Sequence, residues 1–240
     1  SEQELKDMNF VPVLSFHSAE KGRFGVWFFE TDEEDFDPYK LAYGTVETNF
    51  GDFIDRGNQQ REVLDIVRPM IDKGFALSVM GNHEYNAIAY YTEDGKGGHY
   101  RAHNEKNINQ HKAFLKVYED NPKQHKDIIE WFKTLPLWLD LEGLRVIHAC
   151  WDSDLIEKIG VSLKDGVLIK SSDKSTIEFR AIETLLKGKE IPLPDGQMFY
   201  DKDKNPRKHI RIKFWKKDAK TYKDLFMGPS SALEDIPDLP

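Results

Sequence analysis

The chain has 240 residues, with 34 lysine and arginine against 42 aspartate and glutamate for a formal charge of −8, and a single cysteine, Cys150. Such a length suits one domain with a full core. The acidic balance argues against a general nucleic-acid or other polyanion-binding surface, although a local basic pocket stays open. The lone Cys150 excludes an intramolecular disulfide and points to a reducing compartment. No apolar run approaches the roughly 18 residues of a membrane span, and Ser1-Glu2-Gln3-Glu4 is acidic where a secretory signal is basic, so a soluble, cytoplasmic protein without a membrane partner is expected.

In chain order, residues 10–16 are the best candidate for a first strand, and the acid run at 30–37 reads as a solvated loop. Residues 45–50 are less apolar than a buried strand should be, yet they lead into Gly51-Asp52-Phe53-Ile54-Asp55-Arg56-Gly57. Over 59–73, Val63, Ile66, Val67, Met70 and Ile71 recur at helical spacing, and Gly74 supplies a stop. The apolar run 75–80 has strand length and ends at a turn, Gly81-Asn82-His83-Glu84. Residues 87–103 carry Asp94-Gly95-Lys96-Gly97-Gly98 without a sustained period and read as a lid loop, in which Arg101 and His103 are candidates to touch substrate. Helical patterns at 105–119 and 126–134 make a small cap, so 87–135 reads as an insertion within the single domain. A hairpin follows, 137–141 and 144–150 around Glu142-Gly143, delivering His148 at a strand end. Then come a helix at 176–186, a second hairpin from 198–201 to 209–215, and an irregular tail at 228–240, with no internal repeat.

The order of motif, helix, strand and motif carries the functional argument. A crossover helix returns the next strand parallel to the first, which puts both motifs at the carboxyl ends of their strands. Asp52 can bridge two cations, Asn82 offers a neutral amide oxygen, Arg56 presents a planar fork to a phosphoryl group, and His83 can pass a proton near neutral pH. Each has a plainer reading: Asp52 and Asp55 as turn or helix caps, Asn82 and Glu84 likewise, His148 as a satisfied core histidine. His99, His103, His111, His125 and His209 lack ligand spacing and are assigned to the surface or to helix faces.

Read together as GDxxDRG and GNHE, with Val146-Ile147-His148-Ala149 downstream, these residues resemble the calcineurin-like metallophosphoesterases, specifically the serine/threonine protein phosphatase branch. The resemblance covers roughly residues 51–225. It implies an α/β fold, a β-sandwich flanked by helices with a small helical cap, and a phosphatase that hydrolyses phosphomonoesters with metal-activated water. The substrate is left open between phosphoprotein, small phosphate esters and nucleotide polyphosphates. The implied cofactors are one or two divalent ions, Mn, Mg, Ni, Zn or Fe. Asp52 matches the aspartate that bridges both ions, Asn82 and His148 ligands of the second ion, His83 the general acid, Asp55 the carboxylate that orients His83, and Arg56 the phosphate clamp.

Two departures bear on activity. The family's early DxH motif has no counterpart before Gly51 except Ser15-Phe16-His17, in which His17 keeps a ligand for the first ion and serine replaces a charged one. No late GHxH-like turn follows Trp215. The second ion therefore keeps Asp52, Asn82 and His148, while the first is left with Asp52 and His17. Two rival readings follow: a pseudophosphatase that binds phosphorylated partners without turnover, and an interaction domain in which the motifs are remnants. Intact Asp55, Arg56 and His83 argue against the latter.

Overall fold

The computed structural model describes residues 10–15, 25–30, 47–49, 51–55, 59–74, 76–141, 144–160, 176–201 and 204–239, the first three segments as backbone alone. Arg56 and His17 lie outside the described residues, and so does the side chain of Ser15.

β1 (Phe10–Ser15) and β2 (Gly25–Glu30) form an antiparallel pair in which Ser15 lies opposite Gly25. β3 (Glu47–Asn49) is parallel to β4 (Ala76–Ser78), with Glu47 opposite Ala76 and Asn49 opposite Ser78. The connection contains α1 (Gln60–Asp72), so the expected crossover is present. Its core face is Gln60, Leu64, Val67 and Ile71, whereas Val63 and Ile66 of the expected stripe are exposed. Spacings of four, seven and eleven from Gln60 define one face of the helix, and Val63 and Ile66 fall beside it.

The expected turn and loop after β4 are corrected: Asn82–Tyr91 is a ten-residue helix, α2. Gly81 is its N-cap, and the Glu84 side chain returns to accept the Gly81 N–H. Tyr85, Ala87, Ile88 and Tyr90 are all buried. A helix buried on several sides shows no alternation of polar and apolar faces, which is why its period is faint in the sequence. The loop proper is shorter, with Glu93 bridged to His99.

The cap consists of α3 (Glu105–Tyr118), started by the Asn104 side chain on the Asn107 N–H, and α4 (Pro122–Phe132), started by Asn121 on Gln124. Arg61 ties the cap to α1 through Gln124 and the Val117 carbonyl. β5 (Trp138–Leu141) and β6 (Leu144–Ile147) form the expected antiparallel pair, and α5 (Ser153–Gly160) and α6 (Ile177–Lys187) follow. The main core joins Ile54, Leu64, Met80, Ile88, Phe114, Ile129, Phe132, Leu137, Ile182 and Leu185.

A second cluster holds the C-terminal segment: Leu193, Phe199, Ile210, Ile212, Phe226, Ala232 and Ile236. Here the second hairpin is re-paired. β7 (Glu190–Pro192) pairs with β10 (His209–Arg211), and β8 (Phe199–Tyr200) with β9 (Pro206–Arg207). Ile210 sits opposite Ile191 in the first of these ladders and is fully buried, so burial of Ile210 outranks the shorter loop closure. α7 (Tyr222–Leu225) follows, and the tail includes a 3-10 turn, Ser230–Asp235, whose Ala232 anchors it in this cluster. The described strands form five two-stranded sheets, so the architecture is mixed α/β, and the expected sandwich is not seen among the described residues.

Candidate active site

Two glycines let the ends of β3 and β4 meet. Gly51 has φ +79°, and a Cβ there would lie 2.2 Å from the backbone nitrogen of Gly81. A Cβ on Gly81 would in turn lie 2.4 Å from the backbone nitrogen of Asp52. Asp52 and Asp55 continue in the left-handed region at φ 59° and 67°, which aspartate tolerates better than most residues. Glu84, fully buried, fastens the junction: it accepts the N–H of Asp52 at 2.8 Å, of Phe53 at 2.8 Å and of Gly81 at 3.0 Å. Burial, and then the charge of Asp52, pushes the Glu84 carboxyl up to about 7 against the pull of those backbone N–H groups.

His83, in the first turn of α2, donates its backbone N–H to Asp52 Oδ1 at 3.3 Å, and its Nδ1 lies 3.0 Å from Asp55 Oδ2. Its Nε2 points toward the Asp52 carboxylate, 4.0 Å from Oδ2. Burial pulls the imidazole down, but the Asp55 hydrogen bond and the charges of Asp52, Asp55 and Glu84 outweigh it, so His83 stays protonated above the ordinary histidine range. For Asp55, burial pushes the carboxyl up, while the hydrogen bonds and charges of His111 and His83 prevail and hold it below the usual carboxylate range. The Asp55 N–H is given to Gln60 Oε1 at 2.7 Å, where α1 begins.

β6 delivers His148, 3% exposed, to the same place, with Nε2 3.2 Å from Asn82 Oδ1 and 3.5 Å from Asp52 Oδ1. Behind it the N–H groups of Ala149 and Cys150 bond the Leu185 carbonyl of α6, which fixes the chain just past the strand end. Thus Asp52, Asp55, Asn82, His83 and His148 are brought together from three strand ends. Cys150, two residues past His148, is buried, and burial pushes its thiol up to about 12, which disfavours the thiolate.

Asp52, Asn82 and His148 suit a divalent ion. Two oxygens and one imidazole nitrogen with these separations match neighbours in one shell, since ligands at about 2.0–2.2 Å from an ion lie about 3–3.5 Å from one another. Asn82 contributes an amide oxygen to this set; among the described residues no three His, Cys, Asp or Glu side chains are grouped to hold a metal ion.

Sequence reasoning missed three contributors. Glu84 belongs to the GNHE motif but its clamping of three backbone N–H groups was not anticipated, Gln60 carries no sequence signal, and His111, assigned to the surface or a helix face, is buried against Asp55. The signal for His111 was available: it shares a face of α3 with Phe114 and Tyr118, and a polar residue on an apolar face needs a partner. The lid candidates pack on α2, and Arg101 lies within electrostatic reach of Asp55. Arg101 links Asn86 of α2 to Gln110 of α3, and His103 stacks on Tyr90 in a cavity of about 610 Å³. Tyr90 is eight residues along α2 from Asn82, about 12 Å at the rise of a helix.

The family model for calcineurin-like phosphoesterases matches residues 47–234. The chain belongs to this family. Searches of curated proteins and of solved structures each return no match. For this calcineurin-like phosphoesterase, membership carries phosphoester hydrolysis as the general chemistry and divalent ions as the usual cofactors. The match takes in both motifs, β6 and the C-terminal cluster up to Ala232, and begins after the Ser15-Phe16-His17 segment. Among the described residues no helix is long and apolar enough to cross a membrane.

Proposed function

We propose that this calcineurin-like phosphoesterase is a phosphatase that hydrolyses a phosphomonoester by in-line attack of water, with His83 protonating the leaving oxygen. The observation that carries the reading is the convergence of Asp52, Asn82 and His148 beside a histidine already bonded to a carboxylate. A divalent ion on those three residues would supply Lewis-acid charge and lower the pKa of water. His83 donates Nδ1–H to Asp55, leaving Nε2–H for the leaving group, and the upward shift of the imidazole favours the protonated form that the acid role needs. Glu84 holds the loop that carries Asp52 against the start of α2. Arg56, next in sequence to Asp55, is assigned the phosphate clamp, and His17 with Asp52 a second ion. The reading also takes in the protein phosphatase branch, with phosphate on a serine, threonine or tyrosine, the two-sheet sandwich, and a cytoplasmic setting, which one buried cysteine supports.

A second reading is favoured by Ser15, which stands where the family carries a charged ligand: a pseudophosphatase that holds phosphorylated partners. One assay separates the two, namely hydrolysis of an aryl phosphate after chelation and after return of Mn, Mg, Ni or Zn. Activity restored by metal supports the phosphatase. No activity with any ion, together with retained binding of a phosphopeptide, supports the binding module.

A further inference from the structure

The Asp55 carboxylate serves two imidazoles, and the motif accounts for only one. His83 Nδ1 lies 3.0 Å from Oδ2, while His111 Nδ1 lies 2.8 Å from Oδ1 and 3.1 Å from Oδ2. His111 comes from the cap helix α3 and is 3% exposed. Its ring stacks on Phe114 with centroids 4.9 Å apart and tilts against Tyr90 at 5.2 Å. An ionised carboxylate can only accept, so Nδ1 carries the proton. The other nitrogen, Nε2, is buried without a hydrogen-bond partner. The ring therefore has one polar function, donation to Asp55, and retaining a half-satisfied imidazole in an apolar face costs stability that a phenylalanine would not.

We propose that His111 is a positioning residue for the general acid. The terminal torsion of an aspartate is broad, and a single imidazole partner leaves the carboxylate free to turn with it. A second N–H from α3, together with the Gln60 hydrogen bond to the Asp55 backbone, fixes the carboxylate plane, so that Oδ2 meets the His83 Nδ1–H and the His83 Nε2 is presented to the leaving oxygen. The cap is thereby bonded to the proton donor.

The inference rests on the reading of His83 as general acid, and the test keeps the two apart. His111→Phe preserves the ring and its stacking but removes the donor; His111→Asn keeps an N–H near the Nδ1 position and loses the ring. Rates are compared on an alkyl phosphate and on nitrophenyl phosphate, whose leaving group needs no proton. His111→Phe is expected to slow the alkyl ester about tenfold more than the nitrophenyl ester, a fraction of the 10²–10⁴ that general acid catalysis supplies, while His111→Asn holds the ratio within about threefold of the parent. In chelated protein, NMR of the His83 ring should show the Nδ1–H proton signal kept in His111→Asn and lost to exchange in His111→Phe. A packing role predicts the reverse order, Phe tolerated and Asn damaging, and that order on both readouts overturns the proposal. His83→Asn on the same pair of esters tests the acid itself. If that variant shows no leaving-group selectivity, the acid reading falls and the proposal with it, whereas selectivity in His83→Asn and none in His111→Phe refutes His111 alone.

Discussion

Glu84 Oε2 accepts the backbone N–H of Asp52 at 2.8 Å and that of Gly81 at 3.0 Å, so one carboxylate oxygen closes the end of β3 onto the end of β4. The other oxygen takes the Phe53 N–H at 2.8 Å. Glu84→Ala strands these donors in a buried place, where each costs about 1–3 kcal/mol unless water enters. A net loss of about 3 kcal/mol is expected by urea denaturation. Glu84→Gln, with one acceptor oxygen and an NH₂ facing an N–H, should fall between. A shift for Glu84→Ala below about 0.5 kcal/mol, the range of an ordinary surface substitution, would mean that the clamp does not hold the junction.

Gly51 and Gly95 form a matched pair that separates strain from collision. Both have positive φ, +79° and +73°, but a Cβ at Gly51 meets the Gly81 backbone at 2.2 Å, and one at Gly95 meets nothing within 4 Å. Gly95→Ala should cost about 1 kcal/mol, the left-handed penalty alone. Gly51→Ala should cost at least about 3 kcal/mol, because backbone cannot move aside as a side chain can. Equal thermal shifts for the two variants would refute the close approach of the two loops.

What could be read in advance followed from local rules. Strand, α1, strand and two motifs at adjacent carboxyl ends came from helical spacing and the crossover rule, and β3, α1 and β4 realise it. The α3 and α4 helices announced themselves by apolar faces, although α4 begins at Pro122, earlier than the expected 126, where the Asn121 cap starts it. α2 was hidden because burial on several sides erases its period. The pairing of β10 with β7 depends on which strand buries Ile210, a nonlocal choice that spacing does not encode. Of the candidate site, the convergence of Asp52, Asp55, Asn82, His83 and His148 was legible because all five sit in short motifs at strand ends. Gln60 was not, since a supporting residue is defined by what it touches across the fold, and His111 was marked only as a polar residue on the apolar face of α3, without its partner.

Removal of donors tests the metal assignment directly. In chelated protein titrated with Mn by calorimetry, Asp52→Ala and His148→Ala should each weaken binding by at least tenfold, a magnitude that even indirect supports of a metal site reach. His209→Ala, exposed on β10, should bind as the parent does. Parental affinity in both Asp52→Ala and His148→Ala would remove the site.

Asp55 gives a pH signature in stability. Its folded carboxyl is held below the ordinary 3.8 despite burial, by His111 and His83. A depressed acid stabilises fully above its unfolded pKa, and that contribution drains away as pH falls through the lower, folded value. The stability gap between parent and Asp55→Asn, followed by denaturant titration in chelator, should grow as pH falls from neutral through the histidine range to about 6.5, because Asp55 raises His83, stay level down to about 4 and narrow below it. A gap that instead keeps widening below about 4 would show that the two histidines do not hold the carboxylate ionised.

The remaining question is whether a first ion can be rebuilt. Ser15 is the last residue of β1, opposite Gly25 on β2, which is a strand end of the kind that supplies Asp52 and Asn82. If that end faces the site, Ser15→Asp restores an anionic oxygen, and hard cations depend on such oxygens. Calorimetry with Mn should then rise from one ion bound to two, and aryl phosphatase activity at limiting metal should rise with it. Unchanged stoichiometry and rate, with His17→Ala also silent, would place this strand end away from Asp52 and leave the enzyme mononuclear.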